Sequence, residues 1–400
     1  MITVDIALER VLAGLVPTAP ETLPLPQTLG RVLAENATAR LAHPPVDVSA
    51  MDGYAVRAAD IAAVPATLDI IGESGAGHPY DGRVGPGQAV RIFTGAPMPA
   101  GADSVVMQED TCRDGNSVAV TEPQSPHRHV RSKGGDFSVG QTLLAAGTVM
   151  GPRQIGLAAA MNLPWLPVRR RPRVAILSTG DEIVMPGEPI AAAQIVSSNG
   201  PALAALVTQH GGEPIQLGIA RDSRDSLNAM IKAAAGCDLL VTSGGASVGD
   251  YDLVQDVLAE NGLELNFWKI AIRPGKPLMS GMLNHVPVLG LPGNPVSAMV
   301  CAYLFLVPML RSLLGLPAAL PLQAAVLGCA VKANDGRQDY QRATLDHRPD
   351  GSVIVTPFQR QDSAVMSGLA SADCLLIRPP HAPEGRPGDP ATIMPLPAGF

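Results

Sequence analysis

Short apolar runs and segments of helical periodicity alternate along the central part of the chain, from residue 173 to about residue 316. Runs of strand length occupy residues 174–178, 215–220, 239–241, 267–272 and 286–291. Helical spacing occurs at residues 199–210, 226–235 and 253–258, and the longer apolar segment 296–310 is expected to be a buried helix. Such alternation is typical of a parallel sheet with helices on both faces, so it predicts a doubly wound α/β domain.

The flanking parts of the chain follow other patterns. Residues 1–15 have the spacing of an amphipathic helix, short strands punctuated by glycine fill residues 57–139, and residues 140–160 are helix-forming. After residue 316 short strands alternate with polar turns. We therefore predict a multidomain α/β plus β fold with four parts: a discontinuous helical and extended N-terminal domain (1–45 and 140–170), a β-rich inserted domain (46–139), the α/β domain (171–317) and a C-terminal β-barrel-like domain (318–400).

The stretch 237–252 carries the strongest indication of chemistry. An apolar strand runs into residues 243–249, where three glycines and two serines could fold closely around a ligand and donate backbone N–H groups. Asp250 and Asp252 follow, and then helical spacing begins, which is a geometry that binds phosphate. Because two carboxylates beside a phosphate require a cation, the stretch predicts a site for a phosphate ester and a hard divalent metal, most simply Mg²⁺.

Two other interpretations fit the same stretch. Residues 245–249 match the Gly-x-Ser-x-Gly nucleophile elbow, which would make Ser247 a nucleophile with His285, His347 or His381 as its base. A glycine-rich turn with an aspartate N-cap and no chemistry also accounts for the residues. The stretch taken alone leaves these three interpretations open.

Polar sequences follow each of the predicted strands of the α/β domain. The carboxyl ends of strands in an open α/β sheet are where ligands bind, so we expect these loops to converge on one site. Lys276 lacks the Ser or Thr and the upstream glycine of a Walker A loop, which argues against a P-loop nucleotidase. The charged residues supplied by the loops are Asp181, Glu182, Asp222, Asp250, Asp252 and Lys276.

Composition narrows the possible functions. A net charge of −7 and an aromatic content of 3% argue against a nucleic-acid-binding protein. The five cysteines form no Cys-x-x-Cys motif, which suits the cytoplasm. We also expect no targeting segment in residues 1–15, and the apolar segment 296–310 is shorter than a membrane span. The arginine-rich run 169–173 and the side chains of Arg337, Arg342 and Arg360 are expected to be solvated.

Six sequence boxes occur in order along the chain: S-x-MDGYAV at 49–56, RIFTGAP at 91–97, TGDE at 179–182, SGG-x-S-x-G-D-x-D at 243–252, RPGKP at 273–277 and GLPGNPVS at 290–297. Together they resemble the molybdopterin molybdenumtransferase family, which includes MoeA and the gephyrin E domain. No single box is specific to the family, but the six boxes recur in family order over essentially the whole chain, and that combination is very specific.

The resemblance implies an elongated homodimer whose α/β domain is similar to the MogA-type molybdopterin-binding fold. It also implies a transferase reaction in molybdenum cofactor biosynthesis: adenylylated molybdopterin and molybdate give the cofactor and AMP, with Mg²⁺ required. Molybdopterin brings its own dithiolene sulfurs, so no cysteine is needed to hold the molybdenum. A MogA-type adenylyltransferase is the expected upstream partner, and no nucleic acid or membrane is expected to bind.

The resemblance also assigns site residues. Its acidic positions fall on Asp52, Glu182, Asp222 and Asp252, with Thr94 as a hydroxyl group, and Glu182, Asp222 and Asp252 are the expected metal ligands. Asp52 and Thr94 lie far from the α/β domain in sequence, and in the family the partner subunit completes the cleft. In the loop containing Asp136, Gly135 stands where the family usually has an acid. The remaining cofactor-binding positions are Ser243, Gly244, Gly245, Ser247, Gly249, Asp250, Lys276, Pro292, Gly293, Asn294 and Asp136.

Three rival functions make different predictions. A serine hydrolase would lose activity on Ser247→Ala, and no histidine lies in a matching box. A MogA-like adenylyltransferase would lack the flanking β domains. A non-catalytic scaffold would not need the acidic residues, all of which are present. We therefore expect the enzyme.

Overall fold

A computed structural model describes residues 1–244 and 253–397. The chain forms two compact units, one of residues 22–168 and the other of residues 1–21 together with residues 169 onward. The helices in chain order are α1 (Val4–Leu12), α2 (Pro152–Ala160), α3 (Asn199–Gln209), α4 (Arg224–Ala233), α5 (Leu253–Glu260), α6 (Pro295–Cys301), α7 (Val307–Leu313) and α8 (Met366–Ala370).

The strands between residues 20 and 169 build the smaller unit around a mixed sheet of order β7-β4-β6-β5-β9-β8. Its core contains Tyr54, Val56 and Val106, whose burial stabilises the module. The strands are β1 (Pro20–Pro24), β2 (Ala37–Thr38), β3 (Val48–Ser49), β4 (Gly53–Val56), β5 (Ala66–Ser74), β6 (Gln88–Ile92), β7 (Ser104–Met107), β8 (Thr111–Asp114), β9 (Ser117–Val120), β10 (Val130–Arg131), β11 (Thr142–Leu144) and β12 (Trp165–Arg169).

The larger unit contains an α/β sheet and a C-terminal barrel. Its strands are β13 (Arg173–Thr179), β14 (Ile183–Val184), β15 (Ile195–Val196), β16 (Glu213–Ala220), β17 (Leu239–Ser243), β18 (Leu263–Trp268), β19 (Ile272–Arg273), β20 (Met279–Leu283), β21 (Val286–Leu291), β22 (Gln323–Leu327), β23 (Gln338–His347), β24 (Val353–Pro357), β25 (Cys374–Arg378) and β26 (Pro390–Pro395). The predicted fold class, a doubly wound domain with flanking β modules, is confirmed.

The α/β sheet has the order β16-β13-β17-β21-β20-β18, and its first four strands are parallel. Alternate residues of the central strand β13 enter two different cores, since Ile176 packs with α3, α6 and α7, whereas Leu177 packs with α4 and α5. Burial on both faces explains why this strand is a continuous apolar run. The register places Ser178 beside Ser243 and Ser243 beside Leu291, so these three strands end at one edge of the sheet.

The prediction for residues 267–272, which form part of this region, is wrong. The run 267–272 was expected to be a parallel strand whose carboxyl end carries the RPGKP loop. Instead β18 ends at Trp268, pairs antiparallel with β20 at the edge of the sheet, and Lys269 has a φ of 72° that breaks the strand. Ile272 and Arg273 pair with β23 of the barrel. The apolar character of the run could not show that its first part pairs with β20 and its last part with β23.

The C-terminal barrel closes because β23 pairs with both β24 and β25. The ring runs β23-β24-β22-β26-β25 and returns to β23. Its interior contains Leu327, Ala343, Val355, Leu376 and Ile393. Closure leaves the ring without a free edge, which agrees with the predicted barrel-like domain.

The long apolar helical segment Pro295–Leu313, which spans α6 and α7, is 19 residues long, and its most apolar stretch of 18 residues has a mean hydropathy of 1.8. By length and composition alone the segment could cross a membrane, but 78% of that stretch is buried inside the protein. Leu304, Phe305 and Leu310 lie in the core between the α/β sheet and α1. The prediction of a buried core helix is confirmed.

Helix α1 lies in the larger unit, where Val4, Ala7 and Val11 pack in the core of the α/β sheet. The predicted division instead grouped residues 1–45 with residues 140–170. The helix is capped by Thr3, whose hydroxyl accepts the Ile6 N–H. The four-part division of the chain stays a prediction.

Arg273, in the short strand β19 that follows the α/β-sheet strand β18, is held by residues of the barrel. Its Nη2 donates to Asp339 Oδ2 at 2.8 Å and to Asn334 Oδ1 at 3.0 Å, and its Nη1 lies 3.4 Å from Asp335 Oδ2. Asp339 is buried, and the hydrogen bond to it raises the pKa of the Arg273 guanidinium. A forked guanidinium is needed to reach these oxygens together.

Substitution of Arg273 by Lys is expected to lower stability by about 1–2 kcal/mol, because one ammonium group cannot replace the fork. Thermal denaturation would measure the loss. The matched control is Arg348→Lys, since Arg348 is exposed and contacts only the exposed Asp346 among the described salt-bridge partners. Equal melting temperatures for the two variants would show that the fork is not needed.

Candidate functional site

A cavity of about 750 Å³ opens at the carboxyl edge of the α/β sheet. The loops after β13, β16, β17 and β21 reach it, together with the first residues of α3 and α6. Ligands in open α/β sheets bind at this edge, so this is the candidate site. The residues around the cavity are Ser178, Thr179, Gly180, Glu182, Ile183, Ile195, Val196, Ser197, Ser198, Asn199, Asp222, Ser243, Gly244, Pro277, Pro292, Gly293, Asn294, Pro295, Ser297, Ala364 and Met366.

Asn199 joins two of these loops at the start of α3. Its Nδ2 donates to Ser243 Oγ and to the Gly293 carbonyl, both at 2.8 Å. Its Oδ1 is buried and has no hydrogen-bond partner among the described residues. The asparagine therefore fixes the spacing between the ends of β17 and β21 and retains one acceptor.

Close backbone packing explains the glycine after β17. Gly244 has a φ of +95°, and a Cβ atom there would lie 2.8 Å from the Thr179 carbonyl oxygen. Any other residue would be strained and would collide with backbone. Ser243, Gly244, Pro292, Gly293 and Asn294, all predicted cofactor-binding positions, lie on the cavity wall.

Two predicted metal ligands, Glu182 and Asp222, line the same cavity and are exposed to it. The Glu182 carboxylate folds back over Gly180, where an added Cβ would lie 2.3 Å from Oε2. Within residues 1–244 and 253–397 no group of three or more His, Cys, Asp or Glu residues is close enough to hold a metal ion. The two carboxylates supply the oxygen donors that Mg²⁺ prefers, so they fit part of a magnesium site.

Five of the predicted residues, Gly245, Ser247, Gly249, Asp250 and Asp252, fall outside the part of the chain that the structure describes. Lys276 is exposed, and its neighbour Pro277 is the residue of this loop that lines the cavity.

Asp52, Thr94 and Asp136 belong to the smaller unit. Asp52 Oδ1 accepts the Thr94 N–H at 2.7 Å and the Thr94 hydroxyl at 2.8 Å, and both side chains are exposed. These hydrogen bonds lower the pKa of Asp52. Asp136 is exposed, and its backbone N–H donates to the His43 carbonyl. The structure thus pairs the predicted acid and hydroxyl, while their catalytic role stays a prediction.

Substitution of Thr94 by Val should raise the pKa of Asp52 towards its ordinary value, because the backbone donor remains but the hydroxyl donor is lost. The stabilisation from Asp52 ionisation is present above the ordinary aspartate pKa of about 3.9 and disappears as the pH falls through the lower folded-state value. A carboxyl NMR titration measures the change. Thr94→Ser keeps the hydroxyl and should keep the wild-type pKa, so the same pKa in both variants would contradict this assignment.

Sequence reasoning missed the contribution of the barrel. Ala364 and Met366 line the cavity, and Ser363 contacts its wall: Asn294 Nδ2 donates to Ser363 Oγ and the Val296 N–H donates to the Ser363 carbonyl, each at 3.0 Å. The two charged residues of this loop, Arg360 and Asp362, form no motif that could have revealed it. The apolar residues Ile183, Ile195 and Val196 also line the cavity and were missed.

One expectation about the arginines was wrong. Arg342, expected to be solvated, is only 1% exposed and donates to the carbonyls of Arg360, Asp362 and Val365. Burial lowers its pKa. In the arginine-rich run, Arg171 and Arg173 are exposed as expected, and the partly exposed Arg170 also forms a two-pronged ion pair with Asp238 at 2.7 and 2.9 Å.

Models of one protein family match almost the whole chain. Family models described as the MoeA N-terminal region (domain I and II), a probable molybdopterin binding domain and the MoeA C-terminal region (domain IV) match residues 2–162, 175–312 and 324–396. Molybdopterin molybdenumtransferase 2 of Mycobacterium tuberculosis is 37% identical, covering 97% of this chain and 98% of the relative. Molybdopterin molybdenumtransferase of Haemophilus influenzae is 35% identical, covering 99% of each.

Structure comparison agrees. A crystal structure of the molybdopterin biosynthesis MoeA protein from Pyrococcus horikoshii has a TM-score of 0.88, 34% identity and 99% coverage of both chains. A second structure from this organism has a TM-score of 0.84 at 27% identity, covering 99% of this chain and 100% of that one. The chain therefore belongs to the molybdopterin molybdenumtransferase (MoeA) family, a family of transferases.

Proposed function

We propose that this chain inserts molybdate into adenylylated molybdopterin, with Mg²⁺-dependent cleavage of the phosphoanhydride and release of AMP. The reaction site is the cavity at the carboxyl edge of the α/β sheet. The observation that carries the proposal is that Glu182 and Asp222 line this cavity together with Ser243 and Gly244, where the predicted phosphate loop begins. Family membership supports the choice of substrate.

The cavity suits an anionic substrate. The N-terminal residues of α3 and of the long helix that starts with α6 both line it. The positive ends of the two helix dipoles therefore favour phosphate and oxyanion groups. Hydroxyl groups of Ser178, Ser197 and Ser297 add donors on the same walls.

Glu182 and Asp222, with Asp252, are the residues that would hold Mg²⁺. A bound Mg²⁺ would neutralise the charge of the phosphoanhydride and polarise it for cleavage. Without a cation the two carboxylates would repel the substrate. The protein would position the carboxylate oxygens of these acids, bind the phosphates near Ser243 and Gly244, and hold the substrate in a defined orientation. Lys276, at the exposed start of the Pro277 turn, would contribute charge to the outer part of the substrate.

Assembly and location are part of the proposal. In a homodimer, the partner subunit's copies of Asp52 and Thr94 would complete the cavity, as the family resemblance implies. A MogA-type adenylyltransferase would supply the substrate, and the cytoplasm would be the place of reaction.

The test is AMP release from adenylylated molybdopterin by the purified protein. Four reactions are run in parallel, with both Mg²⁺ and molybdate, with either one alone, and with neither. We expect rapid release only when both are present, and loss of release on Asp252→Ala. No release from a well-folded dimer would contradict the proposed function and would favour a binding or scaffold role.

A further inference from the structure

Asp181 and Glu182 are adjacent acids with different surroundings. Glu182 lines the cavity, whereas Asp181 does not. Instead, Asp181 Oδ1 accepts the backbone N–H of Asp222 at 3.3 Å, and Asp222 Oδ2 accepts the backbone N–H of Asp181 at 3.3 Å. Each of these two acids thus uses one carboxylate oxygen to hold the other's backbone.

Further contacts link the same two loops. Arg221 Nη1 donates to the Asp181 carbonyl at 3.3 Å, and the Gly180 N–H donates to the Ala220 carbonyl at 3.2 Å. The loops follow β13 and β16, whose last residues, Thr179 and Ala220, are paired in register. The two hydrogen bonds between Asp181 and Asp222 therefore link the chain segments that follow β13 and β16, beyond the last paired residues of the sheet.

The loop that carries Asp222 is also fixed from the side of α4. The Arg221 N–H donates to Ser226 Oγ at 3.0 Å, and the Ser223 hydroxyl caps α4 by accepting the Ser226 N–H. These bonds hold the backbone on either side of Asp222, but only the Asp181 N–H, among the described donors, contacts its carboxylate. Asp181 therefore holds Asp222 twice: its backbone N–H contacts the Asp222 carboxylate, and its own carboxylate holds the Asp222 backbone from which that side chain projects.

We propose that Asp181 is a positioning residue: its carboxylate fixes the backbone of Asp222, and thereby places the Asp222 side chain for cation binding, and it does not itself contact the cation. This inference rests on the proposed function only in taking Asp222 as a cation ligand. The positioning contact is a property of the protein without any ligand.

Two substitutions separate positioning from charge. Asp181→Asn retains an oxygen that can accept the Asp222 N–H but removes the negative charge, whereas Asp181→Ala removes both. Asp225→Asn is the matched control, because Asp225 is an exposed acid in the first turn of α4 and lies outside the cavity wall. The probes are Mn²⁺ alone, titrated by electron paramagnetic resonance, and amide hydrogen exchange of the peptides that contain residues 180–182 and 221–223.

In the protein without metal, Asp181→Ala should speed exchange of both peptides about fivefold to tenfold, the factor expected for one lost hydrogen bond, while Asp181→Asn and Asp225→Asn should not. Mn²⁺ affinity should fall by a similar factor in Asp181→Ala and stay within about twofold in Asp181→Asn.

Unchanged exchange in Asp181→Ala would overturn the positioning role, whatever the activity. Equal loss of Mn²⁺ affinity in Asp181→Ala and Asp181→Asn would also overturn it, because the charge itself would then be acting on the cation. If the wild type bound no Mn²⁺, the metal part of the proposed function would fail, and the exchange measurement would still decide the role of Asp181.

Discussion

Substitution of Glu182 by Gln is expected to lower kcat/KM for molybdate-dependent AMP release by about 10²- to 10³-fold. The side chain lines the cavity and folds over Gly180, and Gln has nearly the same size and shape. The substitution therefore removes a negative charge and leaves the packing intact. Initial rates at several Mg²⁺ concentrations would show whether higher Mg²⁺ restores part of the loss, as expected for a cation ligand.

Glu188→Gln is the matched control. Glu188 lies in the next loop, after β14, but its carboxylate accepts the Met185 N–H at 2.8 Å and does not line the cavity. We expect its activity to stay within about twofold of the wild type. Activity of Glu182→Gln within about threefold of the wild type would contradict the assignment of Glu182.

Substitution of Arg342 by Met is expected to destabilise the barrel by about 2–4 kcal/mol, because the buried guanidinium is lost and several partly buried oxygens lose their donor. The guanidinium donates to the carbonyls of Arg360, Asp362 and Val365, and Nε lies 3.3 Å from Gln361 Oε1. The same loop carries Ser363, which holds Asn294 at the cavity wall. We therefore expect a raised KM for the pterin substrate as well as faster amide exchange in β23 and β25.

Arg360→Met provides the comparison for that effect. Arg360 lies in the same loop, but its side chain is 75% exposed and its ion pair with Asp362 spans 3.7 Å. Exposed ion pairs of this kind contribute little to stability, so the amide exchange and the KM of the Arg360→Met variant should match those of the wild type. Equal behaviour of the Arg342 and Arg360 variants would show that burial of Arg342 has no special role.

The sequence predicted best those features of the fold and the site that depend on a few neighbouring residues. The parallel strands, the polar ends after β13 and β17, and the clustering of Glu182 with Asp222 followed from apolar runs that end in glycine and acidic residues. These features depend on a few neighbouring residues, so they can be recognised without knowledge of the tertiary structure.

Contacts between distant segments could not be recognised in the same way. Arg342 lies 21 positions before Ser363, and nothing around it indicates that its partners are backbone carbonyls. The run 267–272 has the apolar character of a sheet strand, yet Ile272 and Arg273 pair with the barrel. The reciprocal bonds between Asp181 and Asp222 depend on the register of β13 and β16. Such pairings are decided by tertiary packing, which a single sequence does not display.

The most direct test of the proposed reaction is a single-turnover experiment that counts both products. Enzyme in excess is mixed with adenylylated molybdopterin, Mg²⁺ and molybdate, and the quenched mixture is analysed for AMP and for molybdenum bound to the pterin. We expect one molybdenum inserted for each AMP released, at the same rate, with both lost in Glu182→Gln. Release of AMP without insertion of molybdenum would contradict the proposal, because the protein would then be a hydrolase of the nucleotide and not a molybdenumtransferase.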